Sequence, residues 1–214
     1  MFNSKQSSYY KGDRKEVASL IDKRYKKVLE IGCGDGQFAS NFTECEYYGV
    51  EPNFSAWEKS KNILTKSYLG TFEQVFEDLP DNFFDLVVVN DVIEHMQDHM
   101  FFFNNIKQKM TEGGVCIGSI PNVRFVSNLV NLLLRKDWKY LGDGILDDTH
   151  LRFFTEKSIK RIFKEKSMHI EKFIGINSIE RLYSSYKYLI YLLLSLIFGK
   201  DSKFMQFSFR VRIK

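Results

Sequence analysis

Short apolar runs alternate with amphipathic stretches along the chain. The runs KVLEI (Lys27–Ile31), YYGV (Tyr47–Val50), FDLVVVN (Phe84–Asn90) and VCIGS (Val115–Ser119) are continuously apolar rather than alternating. Strands covered on both faces carry that pattern. A weaker strand is expected at Ser67–Gly70, and two more at His169–Ile174 and Phe207–Ile213. Between them lie helical signals. Ser55 and Glu58 form a capping box for a helix over Ala56–Leu64. Asp98 caps a helix to about Met110 that stops at Glu112-Gly113-Gly114, and Thr155 caps Glu156–Lys166. Strand and helix in turn predict an α/β protein whose mostly parallel sheet carries helices on both faces.

Two segments interrupt the alternation, at about 121–154 and 179–199. A nucleotide-binding core needs neither, so they are expected to cap the substrate side of a single domain spanning 1–214. The second contains YLIYLLLSLIF (Tyr188–Phe198), too short to span a bilayer. Its basic neighbours Arg181, Lys187, Lys200 and Lys203 suit an anionic membrane face. Packing on the domain itself, or on a second copy, is the plainer account.

The sharpest motif is VLEIGCGDGQFA (Val28–Ala39), a strand leading through Gly32-Cys33-Gly34-Asp35-Gly36 into an expected helix. Glycines there let the backbone turn sharply and approach a ligand at the carboxyl end of the strand. The spacing is GxGxG, with Gln37 where a dinucleotide fold has its third glycine, which argues against a dehydrogenase. Glu51 ends the next strand in YYGVEPN, where a carboxylate can accept hydrogen bonds from both hydroxyls of a ribose.

With these motifs the chain resembles the class I S-adenosylmethionine-dependent methyltransferases. VLEIGCGDG, GVEPN, FEDLP, FDLVVVNDVIEH and MTEGGVCIGSIPN follow in that family's order and spacing. The resemblance implies a Rossmann-like, doubly wound, mostly parallel seven-stranded sheet with its last strand antiparallel, and S-adenosylmethionine as cofactor. It makes Gly32, Gly34 and Gly36 a backbone cradle for the methionine portion, with Cys33 and Asp35 between them. Glu51, beside Pro52, holds the ribose; Asp78 and Leu79 meet the adenine; Asn90 and Asp91 lie at the methionine end. Glu30 and Asp35 orient the donor's amino group or the loop.

A narrower likeness carries the substrate. PNVRF…LLLRKDWKYLGDGILDDTHLRFFTEKSI and SSYYKGDRKEVASLI look like a methyltransferase subgroup found beside glycosyltransferases in bacterial surface-polysaccharide clusters. It implies Tyr10 and Arg14 against the donor, and an acceptor that is a sugar hydroxyl, free or lipid-linked. NDVIEH also resembles quinone-pathway methyltransferases, the alternative enzyme reading; a catalytically silent binding module is a third. An alcohol acceptor gains from a base, and His suits that near neutral pH. His150 in DDTHLRFF, with Asp147 and Asp148 beside it, and His95 in NDVIEH are both candidates. Arg124 and Arg152, with Asp148, are candidates for the acceptor. Asp143, Asp147, Asp148 and His150 match no calcium loop, and turn chemistry accounts for them, so no metal is expected.

Composition narrows the partners. A net charge of +4 without a Lys/Arg block gives no footprint for nucleic acid. Three scattered cysteines, Cys33, Cys45 and Cys116, make no disulfide framework or zinc knuckle, which fits a reducing cytoplasm. The first residues, MFNSKQSSYYKGDRKE, have no apolar core of the export-signal kind.

Overall fold

The computed structural model describes residues 14–184 and 186–213. Seven strands form one sheet: β1 (Lys27–Ile31), β2 (Glu46–Glu51), β3 (Lys66–Leu69), β4 (Phe84–Asn90), β5 (Met110–Pro121), β6 (Met168–Ser178) and β7 (Phe204–Ile213). Their order is β3-β2-β1-β4-β5-β7-β6. The first five are parallel, and β7 runs antiparallel to both β5 and β6. The order reverses between β1 and β4, so the chain leaves those two strands in opposite directions and a crevice opens at their carboxyl ends.

Alternation within the apolar runs divides the core. Leu29, Ile31, Val87 and Val89 join one buried cluster with Phe102, Phe163 and Phe209; Val28, Leu86 and Val88 join another with Val17, Leu20 and Phe38. Successive side chains of a strand point to opposite faces, so the continuous pattern reports cover on both. The first face is packed by α3 (Phe72–Val75), α4 (His99–Lys109) and α6 (Glu156–Glu165). Among the described residues the second carries α1 (Lys15–Ala18) and a 3-10 turn, Gln37–Asn41. That turn stands where a regular helix is expected after Gly36. Where β4 and β5 pair, a Cβ on Gly118 would lie 2.1 Å from the Val89 carbonyl, which explains a glycine in mid-strand.

One helix start and one helix end differ from expectation in instructive ways. α2 spans Phe54–Ser60 and is capped by Asn53, whose side chain accepts from Ala56 N at 3.0 Å, two residues before the proposed Ser55 box. Asp98 does cap α4, accepting from the backbone N–H groups of Met100 and Phe101. The helix stops at Lys109, however, and the glycines that were expected to end it lie inside β5.

The two insertions fold against each other. The first supplies α5 (Val126–Leu133); the second supplies α7 (Ile179–Leu182) and α8 (Tyr186–Phe198). Phe125, Val126 and Ile179 make a small separate core with Tyr191, Leu192 and Phe198. Arg124 fastens it, donating to Asp201 at 2.6 Å and to the Phe198 carbonyl. On its outer side α8 leaves Tyr186, Leu189, Ile190, Leu193, Leu196 and Ile197 exposed, next to exposed Leu132, Leu133 and Leu134. Among the described residues no helix is long and apolar enough to cross a membrane.

Arg210 on β7 is 2% exposed and ties the segment before β1 to the far half of the sheet. It donates to Glu171 at 2.6 Å, the Tyr25 hydroxyl at 2.8 Å and the Leu20 carbonyl at 3.1 Å, and pairs with Asp22 at 2.8 Å. Truncating one member of such a network strands its partners. Arg210→Met is expected to cost about 3 kcal/mol, a Tm drop of roughly 6–12 °C by calorimetry.

Candidate active site

A cavity of about 460 Å³ occupies the crevice between β1 and β4. Its floor comes from the β1 turn. Gly32 (φ +72°), Gly34 (φ +55°) and Gly36 (φ +88°) all adopt left-handed backbone. A Cβ on Gly32 would lie 2.4 Å from a Val92 methyl, so the turn also needs glycine to let the loop after β4 close upon it. The N–H groups of Gly32 and Cys33 donate to the Val50 carbonyl, and Gly36 N donates to Cys33 O. Gly32, Cys33 and Gly34 line the cavity, while Asp35 and Gly36 shape the turn behind it.

Glu51, 4% exposed, fastens this turn to the end of β2. One carboxylate oxygen accepts from Gly34 N and the other from Asn53 N, both at 2.8 Å. Burial raises its pKa, and those two N–H groups hold it back. Each oxygen keeps a further lone pair for a ligand hydroxyl. Glu30, beneath the turn, is 3% exposed and accepts from the Tyr47 hydroxyl at 2.9 Å. Burial pushes its pKa up to about 8, against the pull of that hydrogen bond. Asn90 is buried on the same wall, and neither its amide oxygen nor its nitrogen has a hydrogen-bond partner among the described residues.

The opposite end of the cavity is formed by Gly70-Thr71-Phe72-Glu73-Gln74, held by a reciprocal Thr71–Gln74 capping box. Asp78 and Leu79 lie elsewhere. Asp78 is exposed on the turn after α3, and Leu79 is core, its carbonyl accepting from Lys109 at 3.0 Å. The FEDLP stretch is thus displaced from the crevice by α3, which supplies the lining residues instead.

Beyond Asn90 the chain turns through Asp91 (φ +50°), whose carboxylate accepts from Ser119, Gln206 and Arg14. Arg14 and Asp91 both line the cavity, as do Glu30, Glu51 and Pro52. Tyr10 lies outside the described residues. Arg14 also borders a second hollow of about 300 Å³ with Ser119, Asn177, Arg181 and Gln206.

The insertion ending in DDTHLRFF folds back over the loop after β4. The Glu94 carbonyl accepts from Leu151 N at 2.8 Å and Arg152 N at 3.1 Å, so two segments far apart in sequence run side by side. Their pairing brings the two candidate bases together, with ring centroids 4.6 Å apart. His95 lines the cavity with Val92, Met96, Thr149 and Leu151; His150 lies behind it and is 7% exposed. His95 Nδ1 is 3.1 Å from the Thr149 carbonyl, and His150 Nδ1 is 2.9 Å from the Ile145 carbonyl. Buried Asp147 accepts from Thr149 N at 2.8 Å and Thr149 Oγ1 at 2.6 Å, supporting the residue that touches His95. Its neighbour Asp148 points to solvent and is not on the cavity wall. Glu94, which the sequence reading passed over, is fully buried, 3.9 Å from His150 Nε2, and neither carboxylate oxygen has a hydrogen-bond partner among the described residues. Burial raises its pKa well above the usual carboxylate range.

The two arginines proposed for the acceptor serve the scaffold. Arg124 is the staple of the insertions, and Arg152 donates to the Gln97 carbonyl at 2.9 Å on the outer surface. Neither lines the cavity.

Sheet order, crevice and glycine turn agree with the comparisons. A family model described as a methyltransferase domain matches residues 2–166, and the chain belongs to that family. A ubiquinone biosynthesis O-methyltransferase of Rickettsia typhi is 24% identical over 159 residues, covering 70% of this chain and 63% of the relative. One from Nitrobacter winogradskyi is 24% identical, covering 70% and 59%. The chain therefore spans less than two thirds of the length of these curated relatives. A SAM-dependent methyltransferase of Archaeoglobus fulgidus shares the fold with a TM-score of 0.67 at 18% identity, covering 96% of both chains. Another from Thermotoga maritima, described as a possible histamine N-methyltransferase, has a TM-score of 0.63 at 17% identity, covering 93% of this chain and 86% of that one.

S-adenosylmethionine is the cofactor of this family of sites, and the residues present fit it. Glu51 suits the ribose, the Asn90 amide and the buried Glu30 carboxyl suit the amino-acid end, and Thr71–Gln74 stand at the end left for the adenine. The cavity is also of ligand size. Calorimetry with S-adenosylhomocysteine is expected to show binding that Glu51→Ala weakens about 10- to 100-fold, the worth of one or two hydrogen bonds to a charged group. Proton linkage gives a second outcome. Glu30 titrates higher in the folded than in the unfolded chain, so its burial disfavours the fold progressively as pH rises from the ordinary carboxylate range to about 8. A ligand ammonium that favours its ionised form should bind more tightly between pH about 6 and about 8. Glu30→Gln should flatten that rise.

Proposed function

We propose that this chain is an O-methyltransferase for a hydroxyl on an apolar, ring-bearing acceptor, of the phenolic kind implied by its quinone-pathway relatives. The observation that carries the proposal is His95 on the cavity wall beside apolar Val92, Met96 and Leu151. Bound S-adenosylmethionine supplies an electrophilic methyl group on sulfur. The work left to the protein is alignment and removal of the hydroxyl proton. Glu51 and the glycine turn fix the donor from the β1–β2 side, and Asp91, locked by three donors, fixes the loop that presents His95. His95 Nδ1 lies 3.1 Å from both the Thr149 carbonyl and Thr149 Oγ1, and the tautomer protonated there would offer Nε2 as the base.

A sugar hydroxyl is the second reading. It is favoured by the polar hollow beside Arg14, with Asn177, Arg181 and Gln206 on its wall, and by the likeness of the DDTHLRFF insertion to surface-polysaccharide methyltransferases. We further propose that the exposed row of α8 with Leu132–Leu134 rests on an anionic bilayer. Arg135, Lys136, Lys187 and Lys200 are exposed beside it, which suits a lipid-tailed acceptor in either reading.

Methyl transfer from labelled donor to simple catechols and to nucleotide sugars separates the readings. Turnover of the catechols alone supports the first, and turnover of the sugars alone overturns it. His95→Ala should lower kcat by about 10²- to 10⁴-fold with donor affinity little changed; an unaffected kcat would remove His95 from the reaction. Flotation with phosphatidylglycerol vesicles should carry the protein upward, and Leu193→Asp with Ile197→Asp should abolish that while leaving donor binding intact.

A further inference from the structure

His95 is held from three directions. Its backbone N–H donates to the Val92 carbonyl at 3.0 Å, and the carbonyl just before it, on Glu94, accepts from Leu151 N and Arg152 N. Its ring meets Thr149, with Nδ1 3.1 Å from both the carbonyl and Oγ1. Thr149 is fixed in turn by Asp147, which is 1% exposed. One carboxylate oxygen of Asp147 accepts from Thr149 N at 2.8 Å and from Thr149 Oγ1 at 2.6 Å. The second length is the one expected of a hydroxyl on an ionised oxygen. The hydroxyl has a single hydrogen and Asp147 takes it, so Oγ1 presents lone pairs to His95. A backbone carbonyl likewise offers only lone pairs. Nδ1 therefore meets two acceptors on Thr149 and no donor, which favours the ring form protonated at Nδ1.

We propose that Asp147 and Thr149 are positioning residues that set the tautomer of His95, Asp147 acting through the orientation of the Thr149 hydroxyl. The consequence for catalysis rests on the hydroxyl-acceptor reading given above, whereas the tautomer does not. With Nδ1 protonated, the lone pair of a ring that lines the cavity is on Nε2. The acceptor hydroxyl gives its proton to Nε2 as its oxygen forms the O–CH3 bond and the sulfonium S–CH3 bond breaks. The products are the methyl ether, S-adenosylhomocysteine and an imidazolium, which returns the proton to water. Nδ1–H keeps the same partners throughout, so no side chain has to turn as charge develops. Without Asp147 the Thr149 hydroxyl is released to donate its hydrogen to Nδ1, which draws the ring toward the form protonated at Nε2. An imidazole base in the wrong tautomer loses its function even where the geometry is intact.

Long-range ¹⁵N–¹H NMR of the whole protein, labelled at its four histidines and saturated with S-adenosylhomocysteine, reads the tautomer without any acceptor. His95→Gln assigns the signal. Neutral His95 is expected as the Nδ1–H form, and finding it as the Nε2–H form overturns the proposal. Asp147→Ala should let the Nε2–H form appear, and adding Thr149→Val, which removes the released hydroxyl, should restore the Nδ1–H form. A tautomer unmoved by Asp147→Ala overturns the role of Asp147. In turnover of the accepted catechol or nucleotide sugar, Asp147→Ala should lower kcat about 10- to 100-fold, with KM and S-adenosylhomocysteine affinity little changed. The double variant should recover most of that loss, a rescue that a merely structural role does not give; equal losses in single and double variants overturn the tautomer as the cause. Neutron diffraction from the wild-type protein needs no variant. It should place the Thr149 hydroxyl deuterium toward Asp147, and a deuterium turned toward His95 overturns the proposal. The expected tautomers in a protein transferring methyl groups to no hydroxyl would overturn the acceptor reading and leave the tautomer assignment standing.

Discussion

The structure turns on a buried carboxylate that holds two loops at one place. Glu51 accepts from Gly34 N and Asn53 N, joining the glycine turn after β1 to the start of α2. A charge so little exposed is tolerated because backbone N–H groups satisfy it, and it keeps lone pairs for hydroxyls arriving from the crevice. The turn can reach it only because three left-handed glycines fold the backbone back, one of them pressed against Val92. The reversal of strand order between β1 and β4 supplies the opening. Together these constraints define a donor site whatever the acceptor.

Much of this was legible in the chain. Continuous apolar runs marked β1 and β4 to the residue, because strands covered on both faces leave no polar position to blur their ends. The glycine spacing and the acid after β2 pointed to residues that the fold brings onto one cavity wall, since those needs are local to the backbone. Asp78 was misplaced because α3 and its 3-10 extension insert between β3 and β4, and a motif read by spacing alone cannot show which turn of a short helix faces the crevice. Thr71 and Gln74, a capping pair before an apolar residue, were the available signal.

The catalytic end was harder for a different physical reason. His95 and His150 are separated by the whole of β5 and α5, and only the pairing of the Glu94 carbonyl with Leu151 and Arg152 unites them. Nothing in NDVIEH states that its glutamate is buried while the neighbouring histidine is not. Arg124, Asp148 and Arg152 looked like ligand-binding residues because Arg and Asp near glycine serve function and scaffold alike. In the fold two hold loops together and one meets solvent.

Donor and His95 share one cavity, and the account requires them to meet at the end lined by Asp91, Val92 and His95. A crystal structure of the S-adenosylhomocysteine complex tests this most directly. The account predicts ribose hydroxyls on Glu51, the amino-acid end against Glu30 and Asn90, and the sulfur facing His95. A nucleoside bound elsewhere, or a sulfur turned toward Thr71–Gln74, would contradict it.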